Sequence, residues 1–444
     1  MGTGNRKTPH VVNIFVTVYY LDFLAYPLPK SKVLLFFMSE YQILTVLAAF
    51  AFFYSVVASR LERTPFSGAV VYLFFGLVCG PYGLGIIKLH VDGEGLKRLA
   101  EFTLALVLFL DSANADMSVL RKVKRVPVRL LLVGLPLILA AGFGAGYLMF
   151  EQLTVFEIAL LATMLAPTDA ALGQAVVTNK SVPASVRESL NVESGLNDGI
   201  CVPVLLIFLM LATGSAAGSE TWGLVIRLPL QAIGIGATVG VALAIVGSFA
   251  LKWSGSRGWI TGAWIQIPVV ALAIFCFALS QWLGGSGFIG CFVGGLVFGG
   301  LKKDHEVKEK VLSGAESVSN VMSLLTWFTF GAVVFGQSIQ QLSWRVIVYA
   351  VLSLTLIRML PVFLCLIGVK MRADSKLFVG WFGPRGLASI VFIVMVMAEE
   401  LPGNETLAAV VTWTVALSII AHGITAVLFA KSYGKRVADR QGLV

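Results

Sequence analysis

The sequence predicts an all-α polytopic membrane protein: about thirteen transmembrane helices in two inverted repeats, with two broken helices in matching positions. Three observations carry this. The 444 residues are 57% hydrophobic and only 13% charged, where soluble domains carry about 25% charged residues. The apolar residues gather into runs close to the ~20 that a spanning helix needs. Two of those runs, seven apart in order, are interrupted by proline and glycine, and interrupted helices in matching halves mark a midplane site.

The predicted spans are 42–59, 66–88, 99–116, 127–148, 153–178, 190–213, 228–251, 263–282, 284–300, 319–337, 346–369, 377–398 and 403–430. Short links join them, so no soluble domain is inserted. The fifth span contains Leu165-Ala-Pro-Thr-Asp-Ala170, where Pro167 removes a helix hydrogen bond. The twelfth contains Gly380-Trp-Phe-Gly-Pro-Arg-Gly386. Unwound backbone at membrane depth is tolerated only when buried in protein or lining a wet cavity. Span count and break positions give repeat one as about 42–213, a linking helix as about 228–251, and repeat two as about 263–430. Residues 431–444 form a short cytoplasmic tail. Residues 1–37 are an N-terminal extension. Residues 11–28 are fairly apolar but hold Asp22 and Pro27, so the extension is either an extra helix or sequence upstream of a start at Met38, the second reading being favoured.

Charge placement gives the orientation. Starting outside at residue 38, 22 of the 33 lysines and arginines fall in loops assigned to the cytoplasm and five in the opposite loops. This is the positive-inside pattern, and it puts the C-terminus in the cytoplasm. A net charge of +9 distributed this way implies anionic lipid headgroups as partners and no nucleic acid. The expected location is the cell membrane, specifically a bacterial inner membrane. All five cysteines lie in apolar runs without metal-ligand spacing, and read as packing residues. The four histidines are scattered. Gly236/Gly240, Gly290/Gly294 and Gly295/Gly299 have the spacing that lets membrane helices approach closely.

The intramembrane ionisable residues are Asp111, Asp169, Glu193, Asp198, Arg358 and Arg385, a net of two negatives. A charge at the bilayer centre costs roughly 2.5–3.5 kcal/mol on insertion scales, so such groups are functional candidates by default. Two surplus carboxylates favour a cation or protons over an anion. In the sixth span, Glu193 stacks on Asn197 and Ser194 on Asp198, four residues apart, giving one polar face on an apolar helix. A hard cation takes oxygen ligands. Asp198, Asp169, Ser194 and Thr168, with carbonyls freed near Pro167, form a candidate set for Na⁺ or another monovalent cation.

Pro167-Thr168-Asp169, Glu193-Ser194-x-x-Asn197-Asp198, Gly383-Pro-Arg-Gly386, Arg358 with Pro361, and Leu108-Phe-Leu-Asp111 together resemble the monovalent cation:proton antiporter family, in its NhaP/NHE-like branch. The resemblance covers nearly the whole chain from about residue 40. It implies the NhaA/NapA/NhaP-like antiporter fold with its two breaks crossing at the ion site, a homodimer, and elevator-like movement. It further implies that Asp198 binds cation and proton in turn, that Thr168, Asp169 and Ser194 help coordinate the ion, and that Glu193 pairs with Arg385. Asn197-Asp198, in place of two acids, implies electroneutral exchange. Ala170 after Asp169 and Pro384 before Arg385 depart from the family's commoner pattern and bear on ion preference.

Plainer readings stand beside these. Asp169 is a ligand or a cap for the broken helix. Asn197 is a ligand, a hydrogen-bond support, or the residue replacing a second acid. Asp111 pairs with Arg358 across the third and eleventh spans, or lines the ion path. Glu157 reads as interfacial. The expected function is exchange of Na⁺ for H⁺ by competition at Asp198, serving pH homeostasis. The alternatives are K⁺/H⁺ exchange or, less favoured, a cation channel or ion sensor. No nucleophile–base pair or zinc motif appears, so an enzyme is not expected, nor a cofactor beyond the transported Na⁺ or K⁺ and H⁺.

Overall fold

The computed structural model describes residues 30–61, 68–86, 93–115, 125–169, 172–177, 179, 181–214, 221–301 and 305–441. The expectation about residues 1–29 lies outside them. The chain divides into two units, 1–57 and 58–444. The first holds most of helix α1 (Lys30–Leu61), which runs through Met38 without interruption. Phe50 and Tyr54, one turn apart, stack along it with ring centroids 6.3 Å apart.

The second unit is helical, with no strand among the described residues. It comprises α2 (Gly68–Cys79), α3 (Gly93–Asn114), α4 (Arg125–Met149) and a split α5 (α5a, Val155–Met164; α5b, Gln174–Val177). Next come α6 (Ala184–Ala212), α7 (Thr221–Ser256), α8 (Ile267–Trp282) and α9 (Gly287–Leu301). Last are α10 (His305–Phe330, extended by a π-turn to Ser338), α11 (Trp344–Cys365), a split α12 (α12a, Ala373–Trp381; α12b, Leu387–Met397) and α13 (Asn404–Gln441). Each of the thirteen predicted spans therefore contains helix, and both predicted breaks are present.

Small residues let the helix backbones approach. A Cβ on Gly240 would strike the Gly290 carbonyl, and one on Gly299 the Ala113 carbonyl. The glycine ladder of α9 thus fits against α7 on one side and α3 on the other. Lipid chains are as apolar as leucine, so close packing takes the role that water exclusion plays in soluble cores. The five cysteines are free and buried.

The breaks sit where the sequence stops supporting helix. α5a starts with a capping box in which the Thr154 hydroxyl accepts from the Glu157 amide and the Glu157 carboxylate accepts from the Thr154 amide. Glu157 lies in the first turn of α5a, near a span end as the sequence suggested. It is buried, and its other oxygen accepts from the Gly403 amide at the start of α13, 2.7 Å away. One acid thereby ties two helix starts together. α5a ends at Met164, and Pro167 keeps the chain irregular through Asp169. In the twelfth span, Phe382–Gly386 is irregular. α12b then resumes with every residue from Leu387 to Val396 buried, as befits a helix that is apolar all round.

Candidate ion site at the crossing of two broken helices

The two breaks touch through main chain: the Asp169 amide donates to the Pro384 carbonyl at 2.8 Å. Each break then supplies the charge that the other lacks. A helix start leaves N–H groups unsatisfied and carries partial positive charge, and a helix end does the reverse with its carbonyls. The Asp169 carboxylate accepts from the Leu387 amide, the first of α12b, at 3.0 Å, and from the Leu172 amide at 3.3 Å. In return, Arg385 Nη1 donates to the Ala166 and Pro167 carbonyls just beyond α5a, at 2.7 and 3.0 Å. A Cβ on Gly386 would collide with the Asp169 carboxylate, so glycine there permits the approach.

α6 lies across the same point. Ser194 Oγ donates to the Thr168 carbonyl, and Asn197 Nδ2 donates to Thr168 Oγ1 at 2.7 Å. The structure thus brings Thr168, Asp169, Ser194 and Asn197 into one hydrogen-bonded cluster spanning the α5 break, α6 and the start of α12b. Asp198 is the next residue on α6. It is 6% exposed, and its Oδ1, like Asn197 Oδ1, is buried without a hydrogen-bond partner. The charged groups acting on it are Asp111, Asp169 and Arg385. Two orphaned acceptors side by side are what a proton or a cation satisfies.

A narrow crevice reaches this cluster. Thr168, Asp169, Gly173, Val176, Val177, Leu190, Ser194, Phe382 and Pro384 line it. Asp198, one turn beyond Ser194, is not among them. Among the described residues no group of three or more His, Cys, Asp or Glu side chains converges as a metal cluster would. The oxygens at the crossing come instead from one or two carboxylates, hydroxyls, an amide and main chain.

One expected pairing is corrected. Glu193 does not pair with Arg385. It forms a two-pronged ion pair with Arg358 of α11, at 2.5 Å (Nη1 to Oε1) and 2.9 Å (Nη2 to Oε2). The partners are 3% and 1% exposed. The physical reason is competition. The α5 break frees carbonyls that hold the Arg385 guanidinium, while Gly383, whose Cβ would strike Arg358, leaves that second guanidinium a path to α6. The same pair rules out the reading in which Asp111 takes Arg358. Asp111 instead lies where α3 meets α6, its carbonyl 3.3 Å from where a Cβ on Gly195 would sit. The surplus of two negatives survives: with Glu193 and Arg358 paired, Asp111, Asp169 and Asp198 are left against the single charge of Arg385.

Sequence reasoning passed over two residues at the crossing. Ser418 Oγ on α13 accepts the Arg385 amide at 2.7 Å. His422, one turn on, meets the Trp381 carbonyl at 2.8 Å. The signal for them is a lone histidine four residues after a serine inside an apolar helix.

Comparison with known proteins gives the family and the fold. A probable Na⁺/H⁺ antiporter of Schizosaccharomyces pombe is 25% identical over 406 residues, covering 82% of this chain and 52% of that protein. A K⁺/H⁺ antiporter, NhaP2, of Shewanella sp. (strain MR-4) is 23% identical over 85% of this chain and 64% of its own length. The chain thus spans between half and two thirds of these relatives. The solved sodium proton antiporter MjNhaP1 of Methanocaldococcus jannaschii superposes with a TM-score of 0.72 at 20% identity, covering 88% of this chain and 98% of that one, which establishes the fold. The model of the transmembrane sodium/hydrogen exchanger family matches residues 44–431, and this multi-pass membrane protein belongs to that family.

Proposed function

We propose that the chain is a secondary transporter that exchanges a monovalent cation, Na⁺ in the first instance, for H⁺, with Asp198 as the shared carrier. The observation that carries this reading is the Asp198 carboxylate oxygen, buried without a donor beside the crossing of two broken helices. One carboxylate holding either a proton or a cation, but not both, couples the two flows by competition. Asn197 Oδ1 and the lone pairs left on Thr168 Oγ1 and Ser194 Oγ complete a hard-cation ligand set. Asp169 joins it while capping α12b, since an ionised carboxylate offers about four acceptor positions.

K⁺ is the second reading, favoured because the relatives divide between Na⁺/H⁺ and K⁺/H⁺ antiporters by name. One negative carrier and an uncharged Asn197 support one-for-one, electroneutral exchange. The crevice lies toward the start of α6, the side whose loops are rich in lysine and arginine, and this supports an inward-open state. Turnover then requires Asp198 to be wetted alternately from each side, by elevator-like movement of the crossing against the rest of the molecule. The reading includes two inverted repeats, a homodimer in a bacterial inner membrane, a cytoplasmic C-terminus and a part in pH homeostasis. It calls for no chemical catalysis and no cofactor.

Proton flux into proteoliposomes after pulses of Na⁺, K⁺ or Li⁺, with wild type beside Asp198→Asn, tests it. Cation-driven flux that vanishes in the variant and ignores imposed voltage is expected. Undiminished exchange by the variant removes Asp198 as carrier. Cation conductance without proton coupling would make the protein a channel.

A further inference from the structure

The α5a end is held by a permanent cation, Arg385. The matching end, that of α12a, is held by a titratable one. His422 of α13 is 1% exposed. Its Nε2 is 2.8 Å from the carbonyl of Trp381, the last residue of α12a. Its Nδ1 is 2.8 Å from the Ser418 carbonyl and 3.2 Å from Ser418 Oγ. That same Oγ accepts the main-chain amide of Arg385. The Trp381 ring lies 5.1 Å from the imidazole, tilted 33° to it, and the Phe382 ring 6.4 Å away, edge-on. The charged groups whose fields reach the imidazole are Arg385 and Arg358.

Either charge state fits with the ring in place, but the two are not equally satisfied, because each ring nitrogen faces a carbonyl oxygen 2.8 Å away. Neutral His422 donates from Nε2 to Trp381 and accepts the Ser418 hydroxyl proton at Nδ1, whose lone pair is then also turned toward the Ser418 carbonyl. The imidazolium donates from both nitrogens, to the Trp381 and Ser418 carbonyls, and the hydroxyl proton is released to turn elsewhere. The Trp381 carbonyl has a donor in either state, but only the imidazolium offsets the negative end of α12a with a full charge. The Ser418 hydroxyl, which holds Arg385, is a donor to the ring in one state and not in the other.

We infer that His422 is a second protonable group of the exchanger, a positioning residue that links the break in the twelfth span to pH through the Trp381 carbonyl and the Ser418 hydroxyl. It carries no ion. Its charge state sets how firmly α12a and Arg385 are held, and hence how readily the crossing rearranges. This rests on the exchange reading above, so its test includes a readout independent of transport.

Tryptophan fluorescence of the full-length protein in proteoliposomes is titrated over about pH 5 to 8, where imidazoles change charge, for wild type, Trp381→Phe and His422→Gln. An imidazolium against the Trp381 ring quenches its emission, so the wild-type minus Trp381→Phe signal follows His422. Exchange rates are measured over the same range. The glutamine keeps a donor near the Trp381 carbonyl and does not titrate. The expected result is a fluorescence step present in wild type and absent in His422→Gln. The variant should exchange within about threefold of wild type at alkaline pH, with its rate profile displaced by about one pH unit, a tenfold change in proton requirement. A flat Trp381 signal in wild type overturns the inference even if the glutamine variant fails to fold. So does a His422→Gln rate profile that overlays the wild type. Absence of exchange in wild type would sink the exchange reading and leave the fluorescence step to decide this one.

Discussion

Glu193 and Asp198 are two carboxylates on one helix, five residues apart, both nearly inaccessible, and their surroundings could hardly differ more. Glu193 is closed: both oxygens are taken by the Arg358 guanidinium. Asp198 is open: Oδ1 has no donor at all. A closed pair holds structure and has nothing to offer a mobile ion. An open acid destabilises the fold and is retained for what it binds. Burial and charge alone do not separate the two; the partner count does.

The comparison is broken most severely at the closed pair. Removing one member of a buried ion pair leaves an uncompensated charge and costs about 3–5 kcal/mol. Arg358→Ala should lower the unfolding temperature in detergent further than any substitution at Asp198 or Asp169, and should lower the yield of folded protein. Exchange would be lost with it, so activity alone does not identify a role. The double variant Glu193→Gln/Arg358→Gln should recover much of the loss. If Arg358→Ala unfolds at the wild-type temperature, the pair does not brace the fold.

Asp198→Asn should do the opposite. It removes a buried charge that no ion pair closes, so stability should hold or rise by about 1 kcal/mol, as expected when a poorly compensated buried charge is neutralised. Exchange should fall by at least about 100-fold, the scale on which losing a key charged contact acts. Thermal unfolding and proteoliposome flux on the same preparation check both halves. A variant that unfolds early would place Asp198 with Glu193 as a structural acid.

Between these lies Asp169, which caps α12b and lines the crevice. Asp169→Ala should cost about 1–2 kcal/mol, the worth of a charged cap at a helix start. Asp169→Asn keeps an acceptor for the Leu387 amide and should recover about half of that. If exchange recovers with stability, the cap is its role. Recovery of stability without exchange would make it a ligand.

The thirteen spans and both breaks were legible in the sequence because they depend on local properties: apolar runs of spanning length, Pro167, and the glycines around Pro384. The polar face of α6 was legible from four-residue spacing. The partner of Glu193 was not, because counting carboxylates against arginines omits the carbonyls that an unwound helix exposes. Ala166 and Pro167 outcompete Glu193 for Arg385, and only the three-dimensional crossing shows it. The partner of Glu157 was hidden for the same kind of reason. It is a main-chain amide at Gly403, 246 residues away, which no side-chain pattern announces. His422 was invisible because both of its ring nitrogens meet main-chain oxygens.

The smallest structural change sharpens the comparison most finely. Asn197 donates to Thr168 Oγ1, and the threonine hydroxyl can donate instead when it faces a carboxylate. Asn197→Asp should therefore keep that hydrogen bond with the direction of donation reversed, and unfold within about 1 kcal/mol of wild type. It adds a second open acid beside Asp198. With one carrier, the loaded site has the same charge whether it holds a monovalent cation or a proton, and voltage does no net work on the cycle. With two, the site loaded with one cation is one charge more negative than the site loaded with two protons, and moving one charge across 100 mV is worth about 2.3 kcal/mol. Exchange by Asn197→Asp should consequently respond to an imposed potential where wild type does not. A voltage-insensitive variant would mean that the added acid stays protonated throughout turnover, and that position 197 lies outside the field of the transported charge.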